Sequence, residues 1–195
     1  MSKRIGVLCL CLGIACLLSS VGFVAYNRWE ADSAEESVRS LREELETASE
    51  DVPAHTDTPP ETMATVTVGG YDCIGMLSVP ALDLELPVLT DWSYAKLRKA
   101  PCLYYGTYYE ENFVIAAHNY PSHFGRLSAL QEGDVVVFTD VHGVAHGYEV
   151  VLLETLPKEA TEAMIGGGFD LSLYTCTSGG SARVTVRCRA MTDNR

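Results

Sequence analysis

The chain has 195 residues and a formal net charge of −12. The charge is distributed as +2 over residues 1–26, −8 over 27–68 and −6 over 69–195. The apolar N-terminal block excludes a simple soluble enzyme, and the lack of any later basic block argues against nucleic acid as a partner. Residues 69–195 suffice for one globular domain with its own core.

Ile5 to Tyr26 carries no charge. A helix of that length, at about 1.5 Å per residue, spans the roughly 30 Å hydrocarbon core of a bilayer. Lys3 and Arg4 precede the run, and Arg28 and Trp29 follow it. The cationic count favours an N-terminus in the cytoplasm, and Trp29 suits the membrane–water interface. A cleaved signal peptide would have a shorter apolar region followed by a small-x-small site. Ser19-Ser20-Val21-Gly22 instead lies inside the apolar run, so an uncleaved anchor over residues 1–28 is expected.

Residues 29–68 read as a charged helical stalk followed by a linker. Ala31, Ala34, Val38, Leu41, Leu45 and Ala48 recur at spacings of three and four, the stripe of a heptad pattern. Half of these positions are alanine and the stripe is short, so it predicts a solvated helical spacer; a weak dimer through a coiled coil is the alternative. Pro53, Pro59 and Pro60 mark a semi-stiff linker from Glu50 to Thr67.

From Gly69 the sequence predicts many short strands: Ile74–Val79, Leu82–Leu89, Asn112–His118, Asp134–Thr139, Gly147–Thr155, Asp170–Cys176 and Arg183–Met191. Short helical pieces are expected at Ser93–Lys99, Phe124–Gln131 and Pro157–Ile165, the last stopped by Gly166-Gly167-Gly168. A turn holding Gly143 is expected across Asp140–His146. About eight strands with few helical insertions predict an all-β domain, a closed or nearly closed barrel.

Of the seven cysteines, Cys9, Cys11 and Cys16 fall in the anchor as small apolar residues. Cys73, Cys102, Cys176 and Cys188 remain, with disulfides possible but not required. No C-x-x-C spacing is present. His118 and His123 with Cys176 and Cys188 fit no compact zinc pattern, and Asp72, Asp83, Glu110 and Glu111 lack EF-hand-like spacing. No metal or cofactor is expected.

The informative stretch is Leu171 to Arg183. Cys176 closes a strand and a Gly-containing loop follows, so its thiol is expected at an edge, open to substrate. A nucleophilic cysteine needs a base or cation beside it, because the thiolate is the reactive form. His118 ends the apolar run Phe113–Ala117 and is the best partner. Arg183 opens the next strand, where a short antiparallel connection brings a guanidinium beside the thiol. Arg187 shares its facing and is the rival; Cys188 is the rival thiol. His123 reads as a loop residue that could line the groove, His142 and His146 as solvated, and His55 as part of the linker.

Ser172-Leu173-Tyr174-Thr175-Cys176 resembles the Thr-Leu-x-Thr-Cys signature of the sortase family, with Ser in the first position. Val114–Asn119 is similar to the strand bearing the family histidine, and Arg183-Val184-Thr185-Val186 to that bearing the family arginine. The resemblance covers roughly residues 71–191, and Ala117 stands where many relatives have Gly. It implies an eight-stranded sortase-like β-barrel on a membrane-anchored chain of a Gram-positive bacterium. It implies a cysteine transpeptidase that cleaves a Leu-Pro-x-Thr-Gly-like sorting signal on surface proteins or pilins. The acyl group passes through a thioester to an amine on a cell-wall precursor or a pilin lysine. Carried over by position, Cys176 is the nucleophile, His118 the acid and base, and Arg183 the oxyanion or substrate holder; Thr175 contributes to substrate contact. The alternatives are a non-catalytic tethered barrel that binds, and a hydrolytic cysteine peptidase.

Overall fold

The computed structural model describes residues 2–49 and 62–191. The linker prolines Pro53, Pro59 and Pro60 and His55 lie outside the described residues. Contacts divide the chain into two units, Met1–Ser33 and Ala34–Arg195. Helix α1 (Ser2–Ser49) supplies all the described structure of the first unit and the start of the second. Within the first unit its large apolar side chains stay exposed, Leu8 at 71 % and Leu17 at 69 %. Its mean hydropathy reaches 2.5, and among the described residues it is the one helix long and apolar enough to cross a membrane. Even the hydroxyl of Ser20 is turned back to donate to the carbonyl of Cys16 at 2.9 Å, which hides it from an apolar surround.

The described residues of the second unit form nine strands: β1 (Val66–Val68), β2 (Tyr71–Val79), β3 (Leu84–Leu89), β4 (Cys102–Tyr105), β5 (Phe113–Ala116), β6 (Val135–Asp140), β7 (Ala145–Pro157), β8 (Leu171–Cys176) and β9 (Ala182–Ala190). Eight of them close into a ring in the order β2-β3-β4-β5-β8-β9-β7-β6, with β6 pairing back onto β2. The expected eight-stranded barrel is therefore present. β1 lies outside the ring, antiparallel to the first residues of β2.

One edge of β2 serves two partners, β1 through Cys73 and β6 from Gly75 onward. The switch falls on a register shift between Cys73 and Gly75. Gly75 has φ +155, and a Cβ there would sit 2.2 Å from the Thr139 carbonyl oxygen. Only glycine lets the two backbones approach so closely.

Alternation sorts the strands into two apolar clusters. Phe113, Ile115, Leu171, Leu173, Leu77 and Phe138 fill one, the barrel interior. The other contains Cys73, Leu89, Cys102 and Ala116, with Tyr174 packed against it. Leu41 and Leu45 of α1 complete this outer cluster, and Val38 joins the first. The middle of the heptad stripe is thus not solvated. Ala34, Val38, Leu41 and Leu45 are all buried, Leu41 and Leu45 because the barrel presents a second apolar face on its outside.

Several boundaries differ from expectation. Val66–Val68, read as linker, is a strand because its backbone finds β2 across the Gly69-Gly70 turn. Cys102–Tyr105 is a strand that no alternation announced; β4 makes a single parallel bridge to β3 but pairs along β5. Phe124–Gln131 forms only one 3-10 turn, Leu127–Ala129. β7 runs through Pro157, so the following helix α3 is only Thr161–Ile165. The four-residue α2 (Tyr94–Leu97) is capped by Ser93, whose hydroxyl accepts from the Lys96 amide at 3.2 Å. His146 is not solvated: Nε2 lies 3.4 Å from Oδ2 of the buried Asp140, and its ring packs 4.8 Å from that of Tyr108.

Candidate active site

Three neighbouring strands bring His118, Cys176 and Arg183 together. β5 and β8 run parallel with Ala116 opposite Tyr174, and the Ala117 amide donates to the Tyr174 carbonyl at 3.2 Å. Two further residues along that register bring His118 level with Cys176. β8 and β9 run antiparallel with Cys176 directly opposite Arg183. Adjacent strands lie about 4.8 Å apart, and residues opposite one another point to the same face. That face is the outer one, since Leu171 and Leu173 take the interior.

All three side chains line one cleft of about 150 Å³. His118, Cys176 and Arg183 are each half-buried, reachable from solvent yet held by the sheet. The ring of Tyr120 lies 5.0 Å from that of His118, tilted by 37°. Nη1 of Arg183 donates to the carbonyls of Gly180 at 3.2 Å and Ala182 at 3.0 Å. The guanidinium is thereby tied to the tight loop whose Gly179 and Gly180 adopt positive φ.

Thr175 faces the other way. It is 4 % exposed, and its hydroxyl donates to the Ala117 carbonyl at 2.9 Å, the peptide that leads into His118. Arg187 sits opposite Ser172, four residues along β8 from the thiol, and is 2 % exposed. Arg183, Thr185 and Arg187 share a face as expected, yet only Arg183 opens to the cleft, because α3 covers Thr185 and Arg187. Burial pushes the Cys188 thiol up to about 12, and the same cause raises Cys73 and Cys102 to about 12. Those three stay protonated because they are buried, whereas Cys176 opens onto the cleft.

His123 does not line the cleft. It is fully buried, its ring 5.4 Å from that of Tyr120, and neither nitrogen has a hydrogen-bond partner among the described residues. Burial, then the nearby His118, holds its pKa down at about 4. The imidazole is a neutral filler beneath the loop that follows His118.

Two walls of the cleft were not read from the sequence. One is aromatic: Tyr174 meets Tyr104 edge-on at 5.2 Å, Tyr104 lies 5.7 Å from Trp92, and Trp92 lies 5.8 Å from Tyr94. Tyr174, two residues before Cys176, shares its face by alternation and was the available signal. The other wall is Ala160, Thr161 and Met164 of the β7–β8 connection.

The sortase domain model matches residues 77–191. The chain belongs to the sortase family. No curated protein matches the sequence. The barrel is similar to solved sortase structures. Sortase A from Corynebacterium diphtheriae aligns at 24 % identity and TM-score 0.57, covering 64 % of each chain, so this chain spans just under two thirds of that enzyme. A Clostridium perfringens Sortase D5 transpeptidase aligns at 16 % identity and TM-score 0.59, covering 82 % of this chain and 99 % of that one. Streptococcus pneumoniae Sortase C aligns at 24 % identity and TM-score 0.54, covering 78 % and 89 %. Sortases are a family of cysteine transpeptidases, and their fold is the barrel described above.

Proposed function

We infer that this sortase cleaves a C-terminal Leu-Pro-x-Thr-Gly-like sorting signal and transfers the acyl group to an amine. The observation that carries the reading is the register of three strand ends, which aligns an imidazole, a thiol and a guanidinium on one face of one cleft. Cys176 as thiolate attacks the threonine carbonyl, and Arg183 holds the oxyanion with the N–H groups it does not spend on Gly180 and Ala182. The tetrahedral adduct collapses to a thioester as His118 gives its proton to the departing glycine amine. His118 then takes a proton from the incoming amine, which attacks the thioester and frees the thiol. Thr175 serves the substrate groove by fixing the peptide before His118.

The acceptor is an amine on a cell-wall precursor or a pilin lysine, and the donors are surface proteins or pilins carrying the signal. The apolar part of α1 anchors the chain, with its N-terminus in the cytoplasm and the barrel outside, the orientation that Lys3 and Arg4 favour. The test is turnover of a fluorogenic Leu-Pro-x-Thr-Gly peptide with and without an added amine. The parent chain gives a ligated product when amine is present; Cys176→Ala gives none while keeping its fold. Turnover retained in that variant moves the nucleophile elsewhere, and hydrolysis unaffected by amine points to a peptidase.

A further inference from the structure

The β7–β8 connection forms a wall of the cleft, yet little in its own sequence holds it in shape. α3 has five residues, its N-cap Ala160 makes no side-chain cap, and Gly166, Gly167 and Gly168 follow. A helix this short has no stability of its own. What it does have is Arg187. Nη2 of that buried side chain donates to the Ala163 carbonyl at 2.5 Å, and Nη1 to the Met164 carbonyl at 2.7 Å. These are last-turn carbonyls, which lack partners within their own helix.

The rest of the guanidinium fastens to the sheet. Nη1 also donates to the Ser172 hydroxyl of β8 at 2.9 Å, and Nε to Oε1 of Glu154 on β7 at 2.8 Å. The Phe169 ring lies 5.2 Å away across its face. Four of its five N–H groups are therefore committed, two to α3 and two to flanking strands. Ser172 gains a role here: the hydroxyl retained at the first position of the signature is an acceptor for this clamp. Met164, held through its carbonyl, lines the cleft that Cys176 and Arg183 share.

We propose that Arg187 is a positioning residue for donor binding: it clamps α3 to the barrel and so sets the shape of the wall against which the sorting signal lies. This rests on the transpeptidase reading, in which the cleft receives that signal. The clamp touches no reacting atom, so its loss weakens donor binding and leaves the thiol's chemistry intact.

The experiment compares the full chain in detergent with Arg187→Lys, which keeps the charge but loses the planar fork. Donor KM for a fluorogenic Leu-Pro-x-Thr-Gly peptide rises about 10-fold while kcat stays within about 2-fold, a loss of binding alone. Alkylation of Cys176 by iodoacetamide keeps its rate, and amides over residues 161–168 exchange about 10-fold faster. A folded Arg187→Lys with unchanged KM, or one in which alkylation slows in step with turnover, overturns the proposal. If Arg187→Lys fails to fold, Glu154→Ala removes a half-exposed partner instead. It raises KM about 3-fold in the same pattern, and an unchanged KM there counts against the clamp. If even the parent chain cleaves no such peptide, the transpeptidase reading fails separately. Exchange over 161–168 then decides the clamp alone: faster in the variant supports it, unchanged refutes it.

Discussion

His123 makes stability depend on pH in a way that one substitution can isolate. Its ordinary pKa is 6.5 and its folded pKa is held at about 4, chiefly by burial. The unfolded chain therefore binds a proton more readily than the folded one. Above about pH 7.5 both states are neutral and nothing is lost. As pH falls through 6.5 the unfolded state is favoured progressively, until the effect saturates near pH 4. Between these pKa values the linkage relation gives a loss of about 2 kcal/mol by pH 5. His123→Phe removes the titration and keeps a planar ring. Because neither nitrogen has a partner among the described residues, no hydrogen bond among them is forfeited. Any packing cost of the larger ring is constant with pH and cancels from the comparison. The assay is urea unfolding of the full chain in detergent at several values from pH 7.5 to pH 5, followed by fluorescence. Parent stability falls relative to the variant by about 2 kcal/mol over that span. Parallel curves across the range refute the buried, neutral imidazole.

The other expectations concern the cleft, the barrel closure and the helix. Arg183→Ala lowers kcat/KM for a sorting-signal peptide about 100-fold or more and shifts stability by less than about 1 kcal/mol, because its bonds go to loop carbonyls at the barrel rim; an active variant assigns the oxyanion elsewhere. Gly75→Ala costs about 3 kcal/mol or more in thermal or urea unfolding, since its Cβ would lie 2.2 Å from the Thr139 carbonyl oxygen. A neutral result there removes the close approach of β2 and β6. Leu45→Ala, at a position 2 % exposed, costs the barrel about 2–4 kcal/mol in urea unfolding; a solvated spacer would lose almost nothing.

Much of the barrel was legible because strands, turns and breakers are local. Gly143 closes the β6–β7 turn at φ +81, where a left-handed residue is required. Cys176 and Arg183 were legible because one short connection pairs their strands, and His118 because it ends the apolar run of β5. What failed to show was everything decided by a second layer. The stripe of α1 looks the same in sequence whether water, another helix or a sheet covers it. β4 carries Cys102-Leu103-Tyr104-Tyr105, buried at one end and exposed at the other, so its alternation is faint. Pro157 reads as a helix start, yet it closes β7 opposite Ala182, where the last pair needs no further donor. His123 reads as a polar loop residue, and only the packing of Phe124 and Leu127 beside it reveals an interior.

The same interactions that stabilise the sheet also choose which atoms face the cleft. In β8 the residues at 171, 173 and 175 turn inward and those at 172, 174 and 176 outward. A slip of one residue would bury the thiol and present the Thr175 hydroxyl to solvent instead. Four contacts oppose that slip. Leu171 and Leu173 fill the interior, Thr175 is tied to the Ala117 carbonyl, and Ser172 is tied to Arg187. The first, fourth and fifth residues of the Ser-Leu-Tyr-Thr-Cys stretch thus have distinct duties: an outer anchor, an inner anchor, and the thiol that the two anchors hold in place. The threonine beside the cysteine is accordingly a device of register, coupling β8 to the peptide that delivers His118. Thr175→Val keeps the shape and removes the bond, so it should loosen the imidazole relative to the thiol before it unfolds the barrel. A fall in the histidine-dependent alkylation rate of Cys176, with unfolding stability lowered by no more than about 1–2 kcal/mol, is the expected signature; a variant that loses stability while alkylation keeps its rate shows that the bond serves the fold alone.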